Sequence, residues 1–188
     1  TVPPFLFNLA GITVWNYFTA CLNGTSNTFG SNAGIFGKVY FPRIIVPLSI
    51  VISNLLKFGI QFFIFICFYL YYYLQGAAIG MNTTTLFFPL LIVMMGILGL
   101  GLGMFISSLV TKYRDFSNLV GFGVQLLMYV SAVMYPMALI KEKLPTYGWL
   151  VEYNPLAYVI ETTRYMLLDV GHISLLGLGY TFLVTISV

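Results

Sequence analysis

The chain has 188 residues, of which 60% are hydrophobic and 7% charged, with a mean hydropathy of +0.95; a soluble domain carries about 25% charged residues. This composition excludes a soluble globular domain and predicts an all-α membrane protein, because lipid cannot satisfy an open strand edge and the strict alternation of a barrel strand is missing. The net charge of +3 follows from the few loop cations and gives no reason to expect a nucleic-acid partner.

Residues 58–111, 116–140 and 173–188 contain no charge, and each is or contains a run of the roughly 20 apolar residues that span a bilayer. The chain lacks an initiating Met, begins inside one apolar region and stops inside another, so it reads as a fragment of a longer protein. No basic segment precedes a short apolar core, so no cleavable signal peptide is expected. Cys21 and Cys67 both fall in apolar spans and read as buried free thiols; two Cys without a nearby His cannot close a zinc site.

The first span covers about 5–22. Asn16, Thr19, Asn23 and Ser26 or Asn27 recur at helical spacing as one polar stripe with Trp15 beside it. The stripe is costly against lipid and should face another helix or a wet cavity: it either lines a conduit or holds the bundle together by hydrogen bonds. After Asn23 come turn residues, then Gly37 to Pro47, GKVYFPRIIVP, where Lys38 and Arg43 bracket an aromatic segment held by Pro42 and Pro47.

The second span, 44–74, contains Lys57, whose stem can snorkel to the nearer interface, a reading preferred to an intramembrane site. Tyr69, Tyr71, Tyr72 and Tyr73 end it as an aromatic belt. The third span, 86–110, carries Gly96, Gly99 and Gly103, with Gly99 and Gly103 at the GxxxG spacing that lets helices approach closely. No strand precedes the GLGLG run, so it is not a nucleotide fingerprint.

Lys112, Tyr113, Arg114 and Asp115 form a second charged turn. A fourth span, 116–139, follows with Gln125, Tyr129 and Ser131 as scattered polar groups. Residues 140–172 are mixed in charge; within them Asn154 can cap a helix with Pro155 at its first position. That helix, 155–168, reads as amphipathic, with Glu161 and Arg164 an i, i+3 pair, and should lie at the surface or re-enter it. Residues 173–188 begin a fifth visible span.

Lys38, Arg43, Lys57, Lys112 and Arg114 face one acid, Asp115, on one side. The other holds Lys141, Lys143 and Arg164 against Glu142, Glu152, Glu161 and Asp169. The positive-inside rule puts the first group in the cytoplasm, so Thr1 is outside and an upstream span is expected. The whole of 1–188 reads as a single transmembrane domain, with cytoplasmic loops at 30–43 and 111–115 and an extracytoplasmic segment at 140–172. No catalytic constellation is visible: His172 is the single His, the spans hold no Asp or Glu, and no phosphate-binding loop is present.

GKVYFPRIIVPLS at 37–49, KYRDF at 112–116 and YNPLAYVIETTRY at 153–165, in this order, resemble the membrane (permease) subunit of type-2 ABC exporters, particularly the branch exporting O-antigen, capsule and teichoic-acid polysaccharides. The resemblance implies a six-span, multi-pass subunit of the bacterial cytoplasmic membrane, five spans being visible here. It also implies a homodimer with a separate ATP-binding subunit, so that ATP and Mg belong to that partner and this chain needs no cofactor. On the same ground, Lys38, Val39, Tyr40, Phe41, Pro42, Arg43, Lys112, Tyr113, Arg114 and Asp115 are expected to dock the ATPase. Asn154, Pro155, Tyr158, Glu161 and Arg164 are expected at an outer gate, and Trp15, Asn16, Thr19, Asn23, Gln125 and Tyr129 are candidates for lining a glycan conduit in contact with sugar. Two alternatives stay open: an exporter of this architecture for a drug or small lipid, and a membrane enzyme or assembly protein without transport activity.

Overall fold

A computed structural model describes residues 2–32, 34, 42, 44–77, 79–113, 115–137 and 148–188. Among them every regular element is helical: α1 (Pro4–Ser26), α2 (Thr28–Ser31), α3 (Ile45–Leu74), a 3-10 turn (Thr83–Phe87) leading into α4 (Phe88–Lys112), α5 (Phe116–Val130), α6 (Gly148–Glu152), α7 (Pro155–Leu168) and α8 (Leu175–Ser187). Three helical stretches are long and apolar enough to cross a membrane: Pro4–Ser26, Ile45–Leu74 and Thr83–Lys112.

The bundle is built around α1, which packs against α4, α3 and α7. Its inward face carries Leu6, Ala10, Val14, Phe18, Cys21, Leu22 and Thr25, all buried, recurring at the helical repeat. The closest seam is with α4. A Cβ added at Gly99 would lie 3.0 Å from the Phe18 carbonyl oxygen and 2.8 Å from the Cys21 Cβ, and one at Gly103 would lie 2.9 Å from the Leu22 carbonyl oxygen. Gly96 leaves room in the same way for the Tyr17 hydroxyl. Thr25 uses the approach, donating from Oγ1 to the Gly99 carbonyl at 3.3 Å. Gly99 and Gly103 thus let two backbones meet where lipid offers no hydrophobic drive to bring them together.

Helix α3 touches this pair along one narrow stripe, Pro47, Asn54, Phe58, Phe65 and Tyr69. Its rings form a ladder: Phe58 to Phe62 at 5.7 Å, Phe62 to Phe65 at 5.9 Å, Phe65 to Tyr69 at 6.2 Å and Tyr69 to Tyr73 at 6.4 Å. Tyr17 from α1 and Phe88 from α4 pack onto the lower rungs. Centroid spacings of this size are those of attractive aromatic pairs. Tyr71 and Tyr73 are exposed, as a belt requires, whereas Tyr69 belongs to the core.

Phe5 at the start of α1 meets Phe68 and Tyr72 near the end of α3, so these helices run antiparallel. At the other end of α1, the Phe29 amide donates to Ser107 Oγ on α4 at 3.1 Å, so α1 and α4 run parallel. We refer to the end holding Phe5 and Tyr72 as the outer end, following the orientation expected from the cation count.

The sequence expectations need correction in four places. The fourth span, expected over 116–139, is helical only to Val130, because Ala132 adopts a left-handed φ of 53° that no helix can continue and Pro136 follows. Helix α7, expected to be amphipathic and to lie at the surface or re-enter it, lacks an open polar face: ten of its fourteen residues are buried, Arg164 among them. Trp15 is a core residue, tilted against Phe18 at 5.6 Å, and does not share the polar stripe's partly open face. Cys67 is exposed on α3, while Cys21 is buried; both are free thiols.

Candidate functional site

The outer end is organised by Arg164. Only 2% exposed, it is among the largest fully buried side chains of the chain. Its guanidinium donates from Nη1 to the carbonyls of Ala132 (2.9 Å) and Tyr135 (3.3 Å), from Nη2 to that of Val133, and from Nε to that of Phe7 (3.3 Å). Its carbon lies 3.9 Å from the Phe7 ring centroid, a cation–π contact. A Cβ at Gly11 would come within 2.6 Å of Nη2, so glycine there is what admits the planar fork. Burial pulls the guanidinium pKa down to about 10, with Glu161 acting the other way, and the group stays cationic at neutral pH.

These contacts have a structural cause. Where α5 stops, the carbonyls of its last turn lose their helical partners and would be orphaned in a dry environment. Arg164 collects the carbonyls just beyond, each bond to a charged donor contributing about 1.5–3 kcal/mol. One side chain from α7 therefore ties the start of α1 to the turn that follows α5.

Asn154 sets where α7 begins. Its Oδ1 accepts from the Leu156 amide at 3.0 Å, an N-cap, while its Nδ2 donates to Ser131 Oγ at 2.9 Å. The carbonyl of Pro155 accepts from Thr181 Oγ1 of α8 at 3.1 Å, and Tyr158 packs over Gly177 of the same helix. Glu161 lies beside Gly171, whose φ of 107° only glycine adopts easily. At the far end of α7 the Met166 carbonyl accepts from the Asn82 amide (3.2 Å) and from Thr85 Oγ1 (2.5 Å), and Asn82 Nδ2 donates to Asp169 Oδ1 at 3.3 Å. The expected gate residues Asn154, Pro155, Tyr158, Glu161 and Arg164 are thus gathered on one helix pinned at both ends.

Two recesses open at this end. The first, of about 400 Å³, lies between the first turns of α1 and the turn after α5, with Phe7, Asn8, Tyr135 and Pro136 in its walls. Behind its wall, Asn8 Oδ1 is buried without a hydrogen-bond partner among the described residues. The second, about 440 Å³, lies between α4 and α8 and is lined by apolar side chains such as Leu90, Met94 and Phe182, with Thr84 at its edge.

The other expected residues are dispersed. Asn16 and Thr19 are half-buried and Asn23 is exposed on one side of α1; Thr19 Oγ1 donates to the Trp15 carbonyl of its own helix at 3.0 Å. Gln125 and Tyr129 are exposed on α5, and the Tyr129 carbonyl accepts from the Tyr135 hydroxyl. Lys57 is exposed on α3, one turn beyond Asn54, which packs near Gly24 toward the inner end of α1. Of the expected docking residues, Lys112, Tyr113 and Asp115 are exposed at the inner end, with Lys112 Nζ 5.4 Å from the Tyr113 ring centroid, and Pro42 is exposed. Lys38, Val39, Tyr40, Phe41, Arg43 and Arg114 lie outside the described residues. Phe7, Asn8, Gly11 and Asn82 were not foreseen; only the glycine four residues after an aromatic hints at a close approach. No group of His, Cys, Asp or Glu among the described residues could hold a metal ion.

Residues 5–168 match the family model described as ABC-2 type transporter. Similar proteins include an O-antigen export system permease protein RfbA of Klebsiella pneumoniae, 29% identical over 167 residues, which covers 87% of this chain and 61% of the relative. A second protein of that name from Klebsiella pneumoniae is 28% identical over 85% of this chain and 59% of its own length, and one from Myxococcus xanthus is 23% identical over 76% and 53%. The chain thus spans about three fifths or less of these relatives' lengths. With this family match and its long apolar helices, the chain is a multi-pass protein of the bacterial inner membrane and belongs to the ABC-2 type transporter membrane family.

Proposed function

We propose that the chain is the transmembrane part of an export permease that moves a polysaccharide or lipid-linked glycan, of O-antigen, capsule or teichoic-acid type, out across the cytoplasmic membrane. It works as a homodimer beside a separate ATP-binding subunit, which holds ATP and Mg; this chain contributes no cofactor and no catalytic group. The observation carrying this reading is the family match over residues 5–168, with relatives named as O-antigen export permeases. The geometry fits the division of labour. Exposed Lys112, Tyr113 and Asp115 stand at the inner end, where the ATPase would dock, and the Arg164-held helix α7 stands at the outer end, where a gate would act.

Deleting the gene in its host tests the reading. Lipid-linked glycan should accumulate inside the cell and surface glycan should disappear, both restored by the full-length gene; unchanged surface glycan refutes it. Within the complemented strain, replacing Tyr40 and Phe41 with Ala is expected to abolish export and ATPase co-purification while the protein stays in the membrane.

The apolar recess between α4 and α8 favours a second reading, export of a drug or small lipid, since a closable apolar pocket suits a small amphiphile. Under that reading the deletion strain keeps its surface glycan and becomes more sensitive to amphiphilic compounds.

A further inference from the structure

We propose that Lys57, with Ser53 and Gln61 on the same helix, forms an anion site within the membrane that takes the phosphate head of a lipid. This goes beyond the export reading and does not depend on it.

Depth is the first ground. Phe5 of α1 meets Phe68 and Tyr72 at the outer end of α3, and exposed Tyr71 stands in the aromatic belt there. Lys57 lies on the same unbroken helix, about 21 Å inward of Tyr71 at 1.5 Å per residue. A hydrocarbon core of about 30 Å therefore continues roughly 9 Å past it toward the inner face. A second route agrees: neighbouring Phe58 packs at 5.3 Å on Tyr17, and Tyr17 is about 20 Å along α1 from Pro4. Lys57 is exposed at that depth, where a charge is costly unless it is paired.

The chain brings it no anion. The first acid in the sequence is Asp115, beyond the inner end of α4, and the other four, Glu142, Glu152, Glu161 and Asp169, belong to the segment 140–172 expected on the outer side. This holds for the whole sequence, the residues outside the described set included. Among the described residues Lys57 makes no ion pair and no hydrogen bond.

The neighbours on α3 give the chemistry. A Cβ at Gly24 of α1 would lie 2.6 Å from Ile50 and 3.7 Å from Asn54 Nδ2, and Phe68 meets Phe5, so the line 50, 54, 57, 61, 68 is the flank of α3 beside α1. Half-buried Gln61 shares that flank with Lys57, and Ser53 lies one turn inward. Side chains lean toward the N-terminus of their helix, which for α3 is the inner end, so the lysine stem leans over Ser53 toward the inner leaflet. An ammonium, an amide and a hydroxyl supply donors, and no carboxylate competes for them. Phosphate oxygens accept such bonds and carry the opposite charge. A sugar or an acyl ester would leave the charge unmatched. Exposed Ile60 and Ile64 continue the border of the site toward the middle of the membrane, so the phosphate arrives on an apolar chain and not free from water. Two kinds of lipid carry that head: the anionic phospholipids of the inner leaflet, and a long-chain isoprenoid phosphate of the sort that can bear a glycan.

The test uses the full-length permease with its ATP-binding partner, stripped of lipid in neutral detergent. It is titrated under native mass spectrometry with dioleoyl-phosphatidylglycerol, with an isoprenoid phosphate and with dioleoyl-phosphatidylcholine. The wild type should hold at least one of the first two more tightly than phosphatidylcholine, and the one it holds identifies the source. Lys57→Met should weaken that binding about tenfold, as loss of a charge-assisted hydrogen bond does. Lys57→Arg should preserve it, Gln61→Leu should weaken it less, and Leu56→Ala, exposed on another face of α3, should leave it unchanged. The melting temperature of Lys57→Met should be retained, since the side chain has no partner in the chain to lose; a fall in binding accompanied by a fall in melting temperature counts against the site. Should Lys57→Met fail to assemble, Lys57→Gln must show the same loss of binding. Wild-type affinity in the neutral variants, or phosphatidylcholine held as tightly as both anionic lipids, overturns the site. Neither result bears on the deletion phenotype that tests export.

Discussion

Helices α5 and α7 are nearly the same length, fifteen and fourteen residues, and they invert the rule that soluble proteins follow. Helix α5 is the more apolar, with Leu119, Phe122 and Leu126 in a row, and none of its residues is buried. Helix α7 carries Arg164, two threonines and Glu161, and ten of its residues are buried. The difference follows from the solvent. Lipid tails are as apolar as leucine, so apolar faces gain little by turning inward, whereas polar groups left against lipid are costly. The polar groups of α7 find partners inside the bundle, whereas α5, whose apolar residues gain little by burial against other helices, has no residue buried by the rest of the chain.

This contrast can be broken at several points. Arg164→Ala in the full-length protein should have the largest effect. It orphans the carbonyls of Phe7, Ala132, Val133 and Tyr135, and a loss of about 3 kcal/mol or more is expected. The readouts are thermal unfolding in detergent and protease cleavage within 131–152 from the outer face. Arg164→Lys should recover only part, since an ammonium cannot reproduce the planar fork. Gly103→Ala comes next, at about 1–3 kcal/mol, because the added Cβ meets backbone, which cannot rotate away. Loss of the cap and the Ser131 contact in Asn154→Ala should cost about 1 kcal/mol, seen as a lower melting temperature. Phe122→Ala on α5 should change stability by no more than about 0.5 kcal/mol. If it instead destabilises as much as Arg164→Ala, the account of α5 as a helix that packs little against its own chain is wrong.

The residues differ in how far they announced these roles. Helix existence, the Asn154–Pro155 start of α7 and the Gly99–Gly103 seam were legible, because each rests on neighbours within one or two turns. The burial of α7 was not, since its polar residues were weighed as if water were the alternative, the usual meaning of an amphipathic pattern. Nor was the early end of α5: the left-handed residue is Ala132, a helix former by composition, and the cation that collects the carbonyls around it comes from 32 residues downstream. The Asn8 recess depends on three segments meeting in space, and no local pattern records that.

The ties between the Met166 carbonyl and the segment Asn82–Thr85 have a mechanical consequence. Helix α4 continues directly from that segment and runs without a break to Lys112, a rod of about 37 Å at 1.5 Å per residue. The glycine seam with α1 lies between its two ends, where the backbones are in closest contact. A rod held at its outer tip by Asn82 and Thr85, at its middle by the glycine seam and near its inner end by the Phe29–Ser107 bond joins α7 to the Lys112 end through one continuous helix.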